Sequence, residues 1–341
     1  DPETPIERTG QGTQVSVSNV INMFFCLNFV DNNKIKSTRK EGIMYENWGK
    51  LNENIFHPFS QSQVAIHYVP YLLSQETLNS GVFDVIETNI DNLEEEIDAD
   101  FIIDCRGRNN RDKSLYVSLI NPLNSVLISQ EEEIHSDLFY TRCVATPDGW
   151  TFVIPNIENT SYGYIYNNEI TPEEKALSNF KEIFGVKSDP LSLHFENYIA
   201  KSCFQGEKVA LNGNRLCFLE PLEATSTSFY LCAARAIFDH FLFGIDKEIC
   251  NVRVLEKMQQ LQNFVLWHYQ FGSKYDTPFW KYPKSLPFEP EPLFYKNLNY
   301  ADKGISNDEM VRLLAKADYE LHYGQWCPFS FKIWADGVGA L

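Results

Sequence analysis

The stretch best equipped for chemistry is Cys217-Phe218-Leu219-Glu220-Pro221-Leu222-Glu223-Ala224-Thr225-Ser226-Thr227. An apolar strand end runs into a proline turn that carries two carboxylates. A helix follows, with Phe229, Ala233, Ile237 and Phe241 on one face. The first N–H groups of a helix have no partner inside it. Together with the helix dipole, those of Thr225 and Ser226 make a site for an anion such as halide or phosphate. A second stretch, Gly10-Gln11-Gly12, has two close glycines that let the backbone approach a ligand tightly. Taken alone, these two stretches are also compatible with an ordinary helix cap and an ordinary turn. Lys34, Lys36, Arg39 and Lys40 form the densest basic stretch, and by spacing alone Lys40 reads as a surface lysine beside Arg39.

The elements that must carry these residues are mixed. Within 81–106, Val82-Phe83-Asp84-Val85-Ile86 alternates as a strand, Glu94-Glu95-Glu96 reads as a solvated hairpin edge, and Phe101–Asp104 reads as a further strand. Trp150 to Tyr166 again has strand character. Thr171-Pro172-Glu173-Glu174 is a capping box that starts a helix at Pro172, and Ser306-Asn307-Asp308-Glu309 starts another through about Glu320. Between them Ile249, Val252, Leu255, Met258, Leu261 and Val265 form an amphipathic helical stripe, read as core packing. The expectation is an α/β chain, α+β mixed. Residues 1–245 form a sheet-based cofactor domain and residues 246–341 a mostly helical substrate-side layer packed on it.

Composition limits the partners. The 341 residues carry a net charge of −17, which disfavours nucleic acid and anionic lipid. With 44% apolar and 14% aromatic residues the chain can bury a core. No run of about 18 apolar residues predicts a transmembrane helix. Eight cysteines without CxxC or CxxH are expected to be reduced and buried, in a cytoplasmic protein. Seven histidines without HxH or HxxxH give no support to a metal. The start, Asp1-Pro2-Glu3-Thr4-Pro5, lacks a Met and is expected not to be the natural beginning.

Four ordered segments resemble the flavin-dependent tryptophan-halogenase family. Phe218–Glu223 is similar to its FLEPLES turn. Gly149-Trp150-Thr151-Phe152-Val153-Ile154-Pro155 is similar to its WxWxIP signature, with Phe152 at the second Trp. His268-Tyr269 with Asp276-Thr277-Pro278-Phe279-Trp280 resembles its HY…DTPFW segment. Lys40-Glu41-Gly42-Ile43-Met44-Tyr45-Glu46-Asn47-Trp48-Gly49, followed by Phe56-His57-Pro58-Phe59, resembles the strand of its essential lysine. Asp104-Cys105-Arg106-Gly107 parallels a DCSG-like strand end.

The resemblance implies a cytoplasmic oxidoreductase that uses FADH2, O2 and chloride, bromide or iodide, with a separate flavin reductase and possible homo-oligomerisation. In that family a flavin C4a-hydroperoxide is attacked by bound halide, and the hypohalous acid travels through a tunnel to a lysine. Lys40 matches that lysine, which hydrogen-bonds hypohalite or, once deprotonated, forms a haloamine. Glu223 matches the glutamate opposite it, which polarises the hypohalous proton or takes the ring proton. Glu220 is expected to be structural. Thr225 and Ser226 match the halide-binding amides, although the family usually has Ser at Ala224 and Gly at Ser226. Gly10, Gln11, Gly12, Thr13 and Gln14 match the loop over the isoalloxazine, with Thr13 where a glutamate is usual. Trp150, Ile154 and Pro155 would wall the flavin pocket, and Asn214 and Thr227 match flanking FAD contacts.

Two parts of the family plan are missing. No GxGxxG occurs, and only a few residues join Phe59 to His67, where the family has a long insertion that supplies substrate-stacking aromatics. A truncated relative and a longer protein with segments omitted are both compatible with this, and the second is expected. Residues 318–326 fall near the family's amino-acid clamp; Tyr323 and Trp326 could stack a ring or sit in the core. The substrate is left as an indole or phenol. The rival readings are a flavin monooxygenase that hydroxylates an aromatic and a non-catalytic binding protein on a degenerate flavoprotein fold.

Overall fold

The computed structural model describes residues 9–25, 34–51, 54–59, 65–135, 137–302, 306 and 322–340. The expected helix after Ser306, the junction at 60–64 and the start of the 318–326 segment lie outside the described residues, as does Cys26.

The chain opens with β1 (Gln11–Gly12), α1 (Val15–Phe25), β2 (Thr38–Lys40) and β3 (Gly42–Glu46), followed by β4 (Ile55–Pro58), β5 (Ala65–Tyr68) and α2 (Pro70–Asn79). β1, β5 and β2 form a small antiparallel sheet in that order, with Gly12 opposite His67 and Lys40 opposite Ala65. Only Glu41 separates β2 from β3, and β3 belongs to a different sheet. Lys40 therefore ends one sheet at the seam with the next.

After α3 (Leu93–Glu96), β6 (Ile102–Asp104) and β7 (Tyr116–Ser118) come β8 (Ser125–Glu131), β9 (Tyr140–Thr146), β10 (Gly149–Pro155), β11 (Thr160–Tyr166), α4 (Glu173–Phe184) and β12 (Leu191–His194). A seven-stranded sheet has the order β12-β8-β11-β10-β9-β3-β4, antiparallel except for β3 with β9. Both its faces are covered, so every residue of β11 is buried. Alternation along β10 sends Trp150 into the main core and Val153 into the layer under α4. The Trp150–Tyr166 expectation is thus a hairpin, with Phe152 paired opposite Gly163. A Cβ at Gly163 would sit 2.0 Å from the Phe152 ring. Gly163→Val is accordingly expected to push that ring off the hairpin and cost about 1–3 kcal/mol, read as a lower urea midpoint.

The rest comprises β13 (Tyr198–Ala200), β14 (Phe204–Gln205), β15 (Val209–Leu211), β16 (Cys217–Phe218), α5 (Thr225–Phe243), α6 (Lys247–Gln270), α7 (Pro278–Lys281), α8 (Pro292–Asp302) and a last helix, Pro328–Val338. β6 and β15 pair in parallel. One apolar cluster runs from Ile43 to Val338, so the late helices share a core with the sheet.

Several expectations are corrected. Val82–Ile86 forms no strand, and Val82, Val85 and Ile86 are exposed, because no neighbouring strand pairs with them among the described residues. Glu94–Glu96 belongs to a short helix, not a hairpin. Asn92 caps it, and three carboxylates in the first turn suit its dipole. Pro172 is the cap residue of α4, and the Thr171 hydroxyl donates to Asp148 instead of closing a box. On α6 the buried line is Cys250, Val254, Met258, Leu261 and Val265, whereas Ile249 and Val252 are exposed. Each i+3 step falls about 60° short of a full turn, so the run 249–252–255 drifts off one face. Cys105 and Cys232 are exposed, not buried: Cys105 lies just past the end of β6 and Cys232 on the outer side of α5. No helix of the described residues is long and apolar enough to cross a membrane.

Candidate active site

The turn before α5 is strained. Glu223 and Ala224 have φ of 69° and 51°, the left-handed region that costs a residue with a side chain on the order of 1–3 kcal/mol. Side-chain amides hold it: Gln14 Nε2 and Gln325 Nε2 donate to the Glu223 carbonyl at 2.6 and 3.1 Å. The conformation turns the Glu223 carboxylate into the interior. There Tyr45 Oη donates to Oε1, Trp326 Nε1 donates to Oε2 at 3.1 Å, and His268 Nε2 lies 3.2 Å from Oε1. His57 Nδ1 is 3.9 Å from the same oxygen. Burial alone would raise the Glu223 pKa; the His268 hydrogen bond, the charges of His57 and His268 and the Tyr45 hydroxyl outweigh it and bring it to about 2.

Glu220 is bound in parallel. Tyr269 Oη donates at 2.5 Å, Trp150 Nε1 at 3.1 Å and Asn121 Nδ2 at 3.3 Å, while burial raises its pKa. The adjacent His268 and Tyr269 of α6 therefore reach the two glutamates three residues apart. The expectation that Glu220 is structural fits these contacts.

Lys40 is not a surface lysine. It is 1% exposed, and its Nζ donates to the Thr13 carbonyl at 3.2 Å and lies 5.3 Å from the Phe59 ring centroid. Burial lowers its pKa to about 8, opposed by the neighbouring Cys143 and Glu223. Among the described residues no direct salt bridge joins Lys40 to Glu223. Consecutive residues connect them instead, since Thr13 holds the amine and Gln14 holds the Glu223 backbone.

The glycine stretch lies over this amine. A Cβ at Gly12 would come within 2.9 Å of Lys40 Nζ, and one at Gly10 within 2.2 Å of Asn156 Oδ1. The Gly10 N–H donates to Ser161 Oγ at 3.0 Å, and Tyr68 Oη donates to Gln11 Oε1 at 3.3 Å. The Thr13 hydroxyl is buried against Ser18 and the Ile66 carbonyl. Trp150, Ile154 and Pro155 are buried along β10, and Thr38 Oγ1 donates to the Pro155 carbonyl at 3.1 Å, tying that strand to β2.

At the start of α5 no side chain caps the helix. Thr225 is 1% exposed, and its hydroxyl has no partner among the described residues. Ser226 and Thr227 are half-buried in the same turn. Asn214 is exposed and accepts from Tyr230 Oη at 2.6 Å, one turn beyond Thr227. The structure thus gathers Lys40, Glu223 and the 10–14 stretch. Tyr45, His57, Trp326 and Gln325 are contacts that sequence reasoning missed. Tyr45, His57 and His268 did lie inside the quoted motifs, which was the available signal. No group of described residues is arranged to hold a metal.

The family model described as tryptophan halogenase matches residues 74–320. The chain belongs to the tryptophan halogenase family. It is 26% identical over 206 residues to tryptophan 7-halogenase RebH of Lentzea aerocolonigenes, covering 55% of this chain and 39% of that one. It is 26% identical over 177 residues to tryptophan 6-halogenase ThaL of Streptomyces albogriseolus, covering 49% of this chain and 33% of the relative. The chain therefore matches less than half the length of these curated relatives. In fold it resembles a flavin-dependent halogenase from Xanthomonas campestris, with a TM-score of 0.78 at 17% identity over 99% of this chain and 82% of the other.

Proposed function

We propose that the chain acts as an FADH2-dependent halogenase of an electron-rich aromatic, an indole or phenol, with Lys40 as the residue that receives hypohalous acid. The observation that carries the reading is a lysine that is 1% exposed, with burial lowering its pKa to about 8, beside an ionised glutamate. Residues 1–245 would form the flavin side and residues 246–341 the substrate-side layer.

The residues present fit a halide: Thr225 offers a buried hydroxyl without a partner among the described residues. For FAD the reading is supported by the family match. Gly10, Gln11, Gly12, Thr13, Gln14, Trp150, Ile154, Pro155, Asn214 and Thr227 are the residues proposed to hold FAD. When bound and reduced, FAD supplies with O2 the oxidising power that turns halide into hypohalous acid.

The chain's own residues do the rest. The Thr225 and Ser226 amides hold the halide at the positive end of α5. Trp150, Ile154 and Pro155 keep the aromatic substrate away from the flavin side. The Lys40 ammonium donates to hypohalous oxygen. Its neutral form, accessible near pH 8, exchanges an N–H for an N–halogen bond and releases water. Glu223 stabilises the positive ring intermediate electrostatically. With a pKa of about 2 it is a weak proton acceptor on its own. A separate reductase would supply FADH2.

The test supplies reduced FAD, O2, bromide and a panel of indoles and phenols, with products read by mass spectrometry. Brominated product that is lost in Lys40→Ala supports the halogenase. Hydroxylated product that survives this change would assign direct oxygenation, and failure to bind flavin would assign a non-catalytic protein. Thr225→Val gives a separate expectation. Removing an unpartnered buried hydroxyl should leave stability unchanged or raise it by up to about 1 kcal/mol. The bromide KM should rise several-fold, measured by steady-state kinetics.

A further inference from the structure

We propose that His268 and Glu223 share one proton across the Nε2–Oε1 contact, and that this pair lends it to the oxygen leaving the halogen and recovers it from the ring. The protonation half of this proposal rests on geometry alone; the chemical half rests on the halogenase reading above.

The geometry is restrictive. His268 Nδ1 lies 2.8 Å from the Phe264 carbonyl. A carbonyl oxygen only accepts, so Nδ1 carries a hydrogen. A neutral imidazole has one N–H, which leaves a lone pair on Nε2. That lone pair would face Glu223 Oε1 at 3.2 Å, and a carboxylate oxygen also only accepts. Two buried acceptors at this separation need a proton between them, as an imidazolium–carboxylate or an imidazole–carboxylic acid pair.

The surroundings do not supply that proton by another route. Tyr45, from β3, donates to Oε1, and Trp326 donates to Oε2; neither bonds Nε2. His57, from β4, turns its Nε2 to Ser330 at 3.1 Å and its Nδ1 toward Oε1 at 3.9 Å. Lys40, from β2, bonds the Thr13 carbonyl, and the Cys143 thiol, from β9, is pushed well above its usual range by burial. The Trp334 ring, on the last helix, packs against the His268 ring with centroids 4.1 Å apart, and Trp48 meets it edge-on at 6.3 Å. An aromatic wall of this kind tolerates an imidazolium through its ring faces.

The step balances. With the hypohalous acid held by the Lys40 ammonium, a C–X bond forms as the acid's X–O bond breaks. The pair's proton passes through Glu223 to that oxygen, which leaves as water. The ring then releases its own proton to Glu223, and the pair regains the shared state. Aromatic and hypohalous acid become halogenated aromatic and water, with no net change in the protein. His268 is a positioning residue here, acting through Glu223.

The test begins with the proton itself. Nitrogen NMR of the chain labelled with 15N-histidine, assigned with His268→Gln, reads the ring at neutral pH, and carbon NMR reads Glu223. Two protonated ring nitrogens beside an ionised Glu223 is the expected result. An unprotonated Nε2 beside an ionised Glu223 overturns the proposal. In Glu223→Gln the ring should revert to a single proton on Nδ1, and an imidazolium that persists there overturns the sharing. The chemical half is read with reduced FAD, O2, bromide and a phenol. His268→Gln keeps a donor to Oε1 but has no proton to lend. Its ring bromination per hypobromous acid formed should fall on the order of 10²-fold. An unchanged ratio overturns that half. A wild type that makes no hypobromous acid sinks the halogenase reading and leaves the NMR result standing.

Discussion

Lys40→Ala is expected to reduce ring bromination by at least about 10³-fold while hypobromous acid still forms and escapes, because a captured oxidant is worth a large effective concentration beside the ring. Product mass spectrometry with a trap for free hypobromous acid measures both. The same amine has a cost in stability. Its folded pKa is about 8 against 10.5 for an ordinary lysine. Between those pH values the unfolded lysine binds the proton and the folded one does not. Stability therefore rises with pH through this window, by about 3 kcal/mol over the whole interval. Lys40→Met lacks the titration, so its stability advantage over the wild type should be largest below pH 8 and shrink toward pH 10.5. Urea unfolding of both proteins across that range checks the sign; parallel curves would refute it.

Glu223→Ala is expected to destabilise the fold by about 3–5 kcal/mol and to remove halogenation as well. The carboxylate collects Tyr45, His268 and Trp326 in a space with almost no solvent. Truncating it leaves three buried polar groups without their partner. Alanine at φ of 69° is as strained as glutamate, so backbone relief does not offset the loss. Glu223→Gln keeps the length and some of the contacts, and should lose less stability. Chemical denaturation of the two variants separates the electrostatic from the geometric share. Equal losses would argue that shape alone holds the turn.

The strand character of β10 and β11 was legible in the sequence because side chains there alternate at period two, and α5 because its apolar residues recur at helical spacing; the pairing of the two strands as a hairpin was not. The 82–86 segment shows the limit of the same rule. Alternation specifies a face, but a strand also needs a neighbour, and none was available among the described residues. The site divides in a similar way. Lys40 and Glu223 could be named through their motifs, yet the burial of Lys40 depends on β1 crossing above it, a contact between distant residues that spacing does not encode. The contacts of His268 and Trp326 with Glu223 are equally long-range. Two left-handed residues without glycine could not be anticipated either, because the amides of Gln14 and Gln325 that hold them come from opposite ends of the chain.

The residues Thr13 and Gln14 grip the amine and the carboxylate turn respectively. The Lys40 amine and the Glu223 turn thus bond neighbouring links of one short ribbon. A change in the backbone of this ribbon would therefore reach the amine through one residue and the carboxylate turn through the next.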